Sequence, residues 1–180
     1  MLLNKDEDMI VMIDMINGFA SVGPFASTNV LNMVDDMKDF LDKNIKNNVQ
    51  IIHFVDSHQL DSLEFNTYPV HCLEDSFESK VIEKLNFKEI EIFHKNSTNG
   101  FFVKNCFDYK KNVYIVGCVT DICVFEYALS AQKYKEQFNL PYKVNIIKKL
   151  VATFDGPNHD SNEINTTYLN ILGQRGINII

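Results

Sequence analysis

The stretch Phe54–Cys72, FVDSHQLDSLEFNTYPVHC, gathers two Asp, one Glu, two His and one Cys into nineteen positions. Asp56 and His58 lie two apart at the end of an apolar run. In an extended chain, side chains two apart share a face. His71 follows after Pro69. A D-x-H…P-x-H arrangement supplies one oxygen and two nitrogen donors, a set that suits Zn²⁺ or another first-row ion. The same residues also fit a polar surface loop with two unrelated histidines, and the loop alone does not decide. Asp61 has the character of a solvated loop acid. His53 reads as strand packing or an exposed tip, and His94 as pointing away from its neighbour Lys95.

Asp14, Lys95 and Cys123 form a second set, each just beyond an apolar run. An ammonium beside a thiol lowers its pKa, and a nearby carboxylate can take up the proton. Together they supply a nucleophile, an activating field and a general base. Each also has a plainer reading: Cys123 as a small hydrophobe in a helix, Lys95 as a solvated lysine, Asp14 as the cap of a turn at Asn17–Gly18. Position favours chemistry at Cys123. It falls at the start of the helix DICVFEYALSAQKY, where the dipole favours a thiolate. Gly117 precedes it in a tight passage that can turn backbone N–H groups into one pocket. Asp121 is expected as that helix's N-cap or first-turn acid. Cys118 reads as strand-end core and Cys106 as packing, and Cys72 lacks a comparable position.

The elements that must position these residues are short Ile- and Val-rich runs: 8–14, 49–56, 89–95, 112–118, 142–148 and 177–180. They have the character of buried strands. Helix-length segments separate most of them. TNVLNMVDDMKDFLDKNI puts Val30, Met33, Val34, Met37, Phe40 and Leu41 on one stripe. NEINTTYLNILGQRG carries Gly173 and Gly176 as C-cap signals. The alternation predicts one α/β domain over residues 1–180, a three-layer α/β/α, Rossmann-like arrangement with a mostly parallel sheet of about six strands. Such sheets bind ligands outside the carboxyl ends of their strands. Both chemical sets fall there.

Composition narrows the classes. A net charge of −7, from 17 basic and 24 acidic residues, disfavours a general nucleic-acid partner. No apolar run reaches the roughly 20 residues of a membrane span, and MLLNKDEDMIVMIDM has no basic leader region. A cytoplasmic protein is expected, with its four cysteines as free thiols.

Asp14 with Phe19 in DMINGF, Lys95, and GCVTDICV around Cys123 resemble the isochorismatase-like cysteine hydrolase superfamily. The likeness covers essentially the whole chain, including ATFDGPNH at 152–159. The Asp56–His71 loop is similar to the metal loop of the nicotinamidase branch. That resemblance implies Asp56, His58 and His71 as metal ligands, with Glu64 as a less certain fourth, and zinc as the ion, iron or manganese being alternatives. It implies Asp14, Lys95 and Cys123 as catalytic residues, and the backbone N–H groups of Val119 and Cys123 as an oxyanion hole beside a cis Cys118–Val119 bond. Phe19, Tyr68 and Phe101 fall at aromatic substrate-binding positions, core packing being the other reading of Phe101. The implied reaction hydrolyses nicotinamide to nicotinate and ammonia in NAD salvage, in a homo-oligomer, with a small-molecule amide as partner. The chain departs from the family in reading S-H-Q where many members have W-H-P, and CLEDSFESK after His71 where many have Gly-Thr. The second change leaves other substrates open: another amide, a carbamoyl group or a vinyl ether. A metallohydrolase with an inert Cys123 and a non-enzymatic binding protein also remain open.

Overall fold

The structure is a computed structural model describing residues 1–103 and 111–180; Cys106, expected as a packing residue, lies outside the described residues. Six strands form one sheet: β1 (Asp8–Ile13), β2 (Gln50–Asp56), β3 (Glu91–Lys95), β4 (Asn112–Cys118), β5 (Val144–Ala152) and β6 (Asn178–Ile179). Their spatial order is β3-β2-β1-β4-β5-β6, and every pairing is parallel. All six residues of β1 are buried, as a central strand covered on both faces requires.

One face of β1 (Ile10, Met12) joins a core with Val34, Met37, Phe40 and Leu41. The opposite face (Met9, Val11, Ile13) packs with Tyr127, Ala128, Leu169 and Leu172. The layers are therefore α/β/α. The helices supplying them are α1 (Asn17–Ala20), α2 (Thr28–Asn32), α3 (Val34–Lys46), α4 (Phe125–Phe138) and α5 (Ser161–Gln174). The expected single helix from Thr28 is two. The chain turns at Met33, the C-cap of α2 and N-cap of α3. Asp35 and Asp36 occupy the first turn of α3, where acids complement the helix dipole. Among the described residues, no helix is long and apolar enough to cross a membrane.

From β1 the chain builds outward to β3, then crosses back to place β4 on the other side of β1. The carboxyl ends of β1 and β4 thus flank the point where the winding reverses, the favoured place for a ligand crevice. Gly117 makes the approach possible. Its φ is +118°, and a Cβ there would run into the Ile13 carbonyl of the neighbouring strand. The strain of that backbone region costs about 1–3 kcal/mol for a residue with a side chain, before the collision is counted. Gly117→Ala is expected to destabilise the fold by roughly 3 kcal/mol or more, read as a lowered urea midpoint at unchanged slope.

Candidate active site

Beyond Ile13 the chain turns sharply. Asp14 has a left-handed backbone, φ 50°, and the Cys118 thiol donates to its carbonyl at 3.0 Å. His53 Nε2 accepts the Met15 N–H at 3.1 Å. Burial first, then the charges of Lys95 and His94, hold the His53 pKa down to about 3. His53 is thus a neutral, packed strand residue that braces this turn, and not an exposed tip. His94 is exposed while Lys95 is buried, the alternation expected of a strand.

The Asp14 side chain faces inward. Its Oδ1 accepts the Asp56 N–H at 2.9 Å, and its Oδ2 lies 2.9 Å from Lys95 Nζ. Lys95 also pairs closely with Asp56, and its Nζ lies 3.8 Å from Cys123 Sγ. All four residues are buried. Cys123 is held on a π-helical turn, Thr120–Val124, between β4 and α4. The Cys118–Val119 peptide is cis, as the family likeness implies. Asp121 is the acid in the first turn of that π-helical segment, but it does not cap α4. That helix begins after the π turn, and the Asp121 carboxylate instead accepts the Thr153 hydroxyl at 2.6 Å.

The electrostatics differ from the expectation in one respect. Burial, reinforced by Asp56, raises the Asp14 pKa to about 7 against the pull of Lys95. Burial also pushes the Cys123 thiol well above its ordinary value, although Lys95 opposes it. Lys95 shares its charge with two carboxylates, so its field at Sγ does not overcome desolvation. Burial thus favours the thiol over the thiolate, and Lys95 acts in the opposite sense. For Lys95 itself burial disfavours the cation, but Asp14 and Asp56 outweigh it and raise its pKa well above the ordinary value.

Asp56, His58, Glu64 and His71 converge beside this set, with ligand atoms within 4.8 Å of one another. His58 Nε2 lies 3.5 Å from Asp56 and 3.6 Å from Glu64. His71 Nε2 lies 3.7 Å from Asp56 and 3.8 Å from Glu64. These separations are too long for good hydrogen bonds. A tetrahedral ion with bonds of about 2.0–2.2 Å has ligand–ligand edges of roughly 3.3–3.6 Å, so the donor set fits a small divalent ion. The remaining ring nitrogens are spoken for. His58 Nδ1 faces the Asn96 side-chain oxygen at 3.3 Å, and His71 Nδ1 faces the Pro69 carbonyl at 2.8 Å. Donation there leaves both Nε2 lone pairs turned toward the centre, as metal-ligating histidines are usually oriented. His58 Nε2 is buried without a hydrogen-bond partner, a costly arrangement that coordination to an ion would relieve.

A narrow cleft joins the two clusters. Phe19, Phe25 and Tyr68 line it with Val119, Ile122 and Cys123. Phe25 lay outside the residues expected from sequence. Its ring centroid is 5.0 Å from His71 and 6.0 Å from Tyr68. Gly23–Pro24, a turn-forming pair, is the local signal that could have brought it in. Phe101, expected at the substrate, is not part of that lining. It packs against Tyr127 and Tyr134, at 5.9 and 5.5 Å between centroids, because the 3₁₀ turn Gly100–Phe102 directs it to the core face of α4. Cys72 is buried behind Gly18, away from the cleft lining.

A parallel α/β sheet with a thiol, a carboxylate and an ammonium at its carboxyl rim defines a class of hydrolase. The chain belongs to the isochorismatase domain family, which it matches over residues 8–169. It is 28% identical over 189 residues to Nicotinamidase 1 of Arabidopsis thaliana, covering 91% of this chain and 77% of that protein. Its fold is similar to that of Pyrococcus horikoshii pyrazinamidase in complex with zinc, with a TM-score of 0.79 and 21% identity over 97% of this chain and 98% of that one. N-carbamoylsarcosine amidase from Thermoplasma acidophilum is nearly as similar in fold, with a TM-score of 0.78 and 20% identity over 96% and 95%.

Proposed function

We propose that this protein is a metal-containing amidase that hydrolyses nicotinamide to nicotinate and ammonia through a thioester on Cys123. The two solved neighbours differ in TM-score by only 0.01, so fold does not select the substrate. The observation that carries the reading is that Asp56, Glu64 and His71 of the ion-binding group line one cleft with Cys123, behind which Lys95 lies against Asp14 and Cys123. A nucleophile beside an ion-binding group suits an amide carried on a ring that itself offers a lone pair.

Phe19, Phe25 and Tyr68 form an aromatic slot for a flat ring. A divalent ion held by Asp56, His58, His71 and Glu64, zinc by donor type, supplies when bound a Lewis-acidic docking point for the pyridine nitrogen. Cys123 Sγ attacks the carboxamide carbon as its proton passes to Asp14. The raised pKa of Asp14 suits it to both receive and return that proton. The N–H groups of Val119 and Cys123 hold the developing oxyanion. Asp14 then gives the proton to the departing nitrogen, ammonia leaves, and a thioester remains. Asp14 next takes a proton from water as the hydroxyl adds to the thioester carbon. The C–S bond breaks, nicotinate is released and the proton returns to sulfur. Lys95 keeps Asp14 and Asp56 in place and offsets negative charge as the thiol ionises.

The test is ammonia release from nicotinamide by protein of measured metal content, with and without a chelator. Chelation is expected to cut kcat/KM by about 10²-fold, as loss of a substrate-orienting contact does, and zinc to restore it. Full activity in metal-free protein would count against the reading.

A further inference from the structure

The loop after β5, residues 153–160, contributes no group to the chemistry above, yet it is tied to the nucleophile's turn. Asp121 lies two residues before Cys123, and both of its oxygens are engaged. Oδ1 accepts the Thr153 hydroxyl at 2.6 Å, and Oδ2 lies 3.0 Å from His159 Nε2. The other ring nitrogen, His159 Nδ1, lies 2.9 Å from the Phe154 carbonyl. The imidazole stacks on the Phe154 ring at 4.2 Å and 3°. Phe154 packs in turn on Phe25, 5.4 Å away, and Phe25 is a wall of the cleft. One side chain thus supports both the turn that presents Cys123 and the aromatic slot.

Both hydrogen-bond partners of His159 are acceptors: a carboxylate oxygen and a peptide carbonyl. Both ring nitrogens must carry a proton for the two bonds to exist together, which is the case only for the imidazolium. We propose that His159 is a positioning residue: as a cation bridging Asp121 and the Phe154 carbonyl it locks the Cys123 turn and the aromatic wall, and loss of one proton releases the lock.

The charged surroundings favour the cation. Asp121 faces it from the π turn, Asp155 and Asp160 stand in its own loop, and Glu163 of α5 lines the same shallow depression. The α2 residue anchoring this loop, Asn29, is neutral; it donates to the Thr153 carbonyl, Asp155 and Ser161. Burial disfavours the charge, but the bonds to Asp121 and the Phe154 carbonyl outweigh it and raise the pKa above the ordinary 6.5. A raised folded-state value means the lock is complete below the ordinary imidazole pKa and is lost as pH rises through the raised one.

The kinetic half of the test rests on the amidase reading; the spectroscopic half does not, so the two can fail separately. In the full chain, the His159 ring proton is assigned by through-bond NMR and titrated. Its midpoint is expected above 6.5, falling in Asp121→Asn. A midpoint at or below 6.5, or one unmoved in Asp121→Asn, would overturn the proposal. With nicotinamide, the wild-type kcat/KM is expected to decline on the alkaline side at the midpoint NMR reports. His159→Gln is expected to be about 10-fold slower below that midpoint, as a displaced nucleophile would be, and to lack the decline. A His159→Gln profile that keeps it would refute the lock. If His159→Gln does not fold, the wild-type and Asp121→Asn titrations decide.

Discussion

Cys123→Ala is expected to abolish ammonia release from nicotinamide, with a loss of at least about 10⁴-fold in kcat, the scale seen when a catalytic nucleophile is removed. The substitution removes one sulfur atom from a buried helical turn. It leaves the Asp14–Lys95–Asp56 pairs in place and touches none of the four candidate ligands. Bound metal should therefore equal that of the wild type, and the unfolding midpoint should change little. Activity and metal content must be measured on the same sample, because a variant that loses both reports only misfolding. Retained activity with normal metal content would transfer the chemistry to another group. Iodoacetamide gives the complementary reading: alkylation of Cys123 should inactivate the enzyme, and nicotinate should protect it.

Lys95→Met is expected to produce the largest loss of stability. The side chain is wholly buried and sits between Asp14 and Asp56, which are also buried. Removing the cation leaves two carboxylates facing each other in a low-dielectric interior. Breaking a buried ion pair from one side costs about 3–5 kcal/mol. At about 2–4 °C per kcal/mol for a chain of this size, the unfolding temperature should fall by roughly 10 °C. The comparison belongs in chelator, where no ion offsets Asp56. Burial raises the pKa of both carboxyls and Lys95 lowers it, so loss of Lys95 raises both and the deficit should grow as pH rises through the ordinary carboxylate range. An unfolding temperature within about 2 °C of wild type would show that this triad is not the electrostatic centre described.

Much of the fold is legible because strand and helix periods alternate cleanly. Runs such as DMIVMI at 8–13 are apolar on both faces, which only a central parallel strand tolerates. Asp14, Asp56 and Lys95 were accessible for the same reason, each standing at or just beyond the end of its strand. What escaped depends on three-dimensional packing. Nothing in the Val30–Leu41 stripe marks the turn at Met33, since the apolar spacing continues through it. Phe25 enters the cleft by a loop without periodicity. Phe101 follows an Asn99 whose side chain caps the next turn by accepting its N–H, and that turn carries the ring to the far face. The state of Cys123 was least readable. A sequence shows that a lysine and a thiol meet, but not that two carboxylates already claim the lysine.

Two benzene-like rings separate the central claim from its competitors. Nicotinamide and benzamide share the carboxamide and the flat ring, and differ in the ring nitrogen. The decisive measurement is kcat/KM for ammonia release from both, on protein of known metal content. A site whose ion docks the pyridine nitrogen should prefer nicotinamide by about 10²-fold or more, and chelation should erase most of that preference. Equal turnover of the two amides, or no turnover of nicotinamide by metal-loaded protein, would contradict the account.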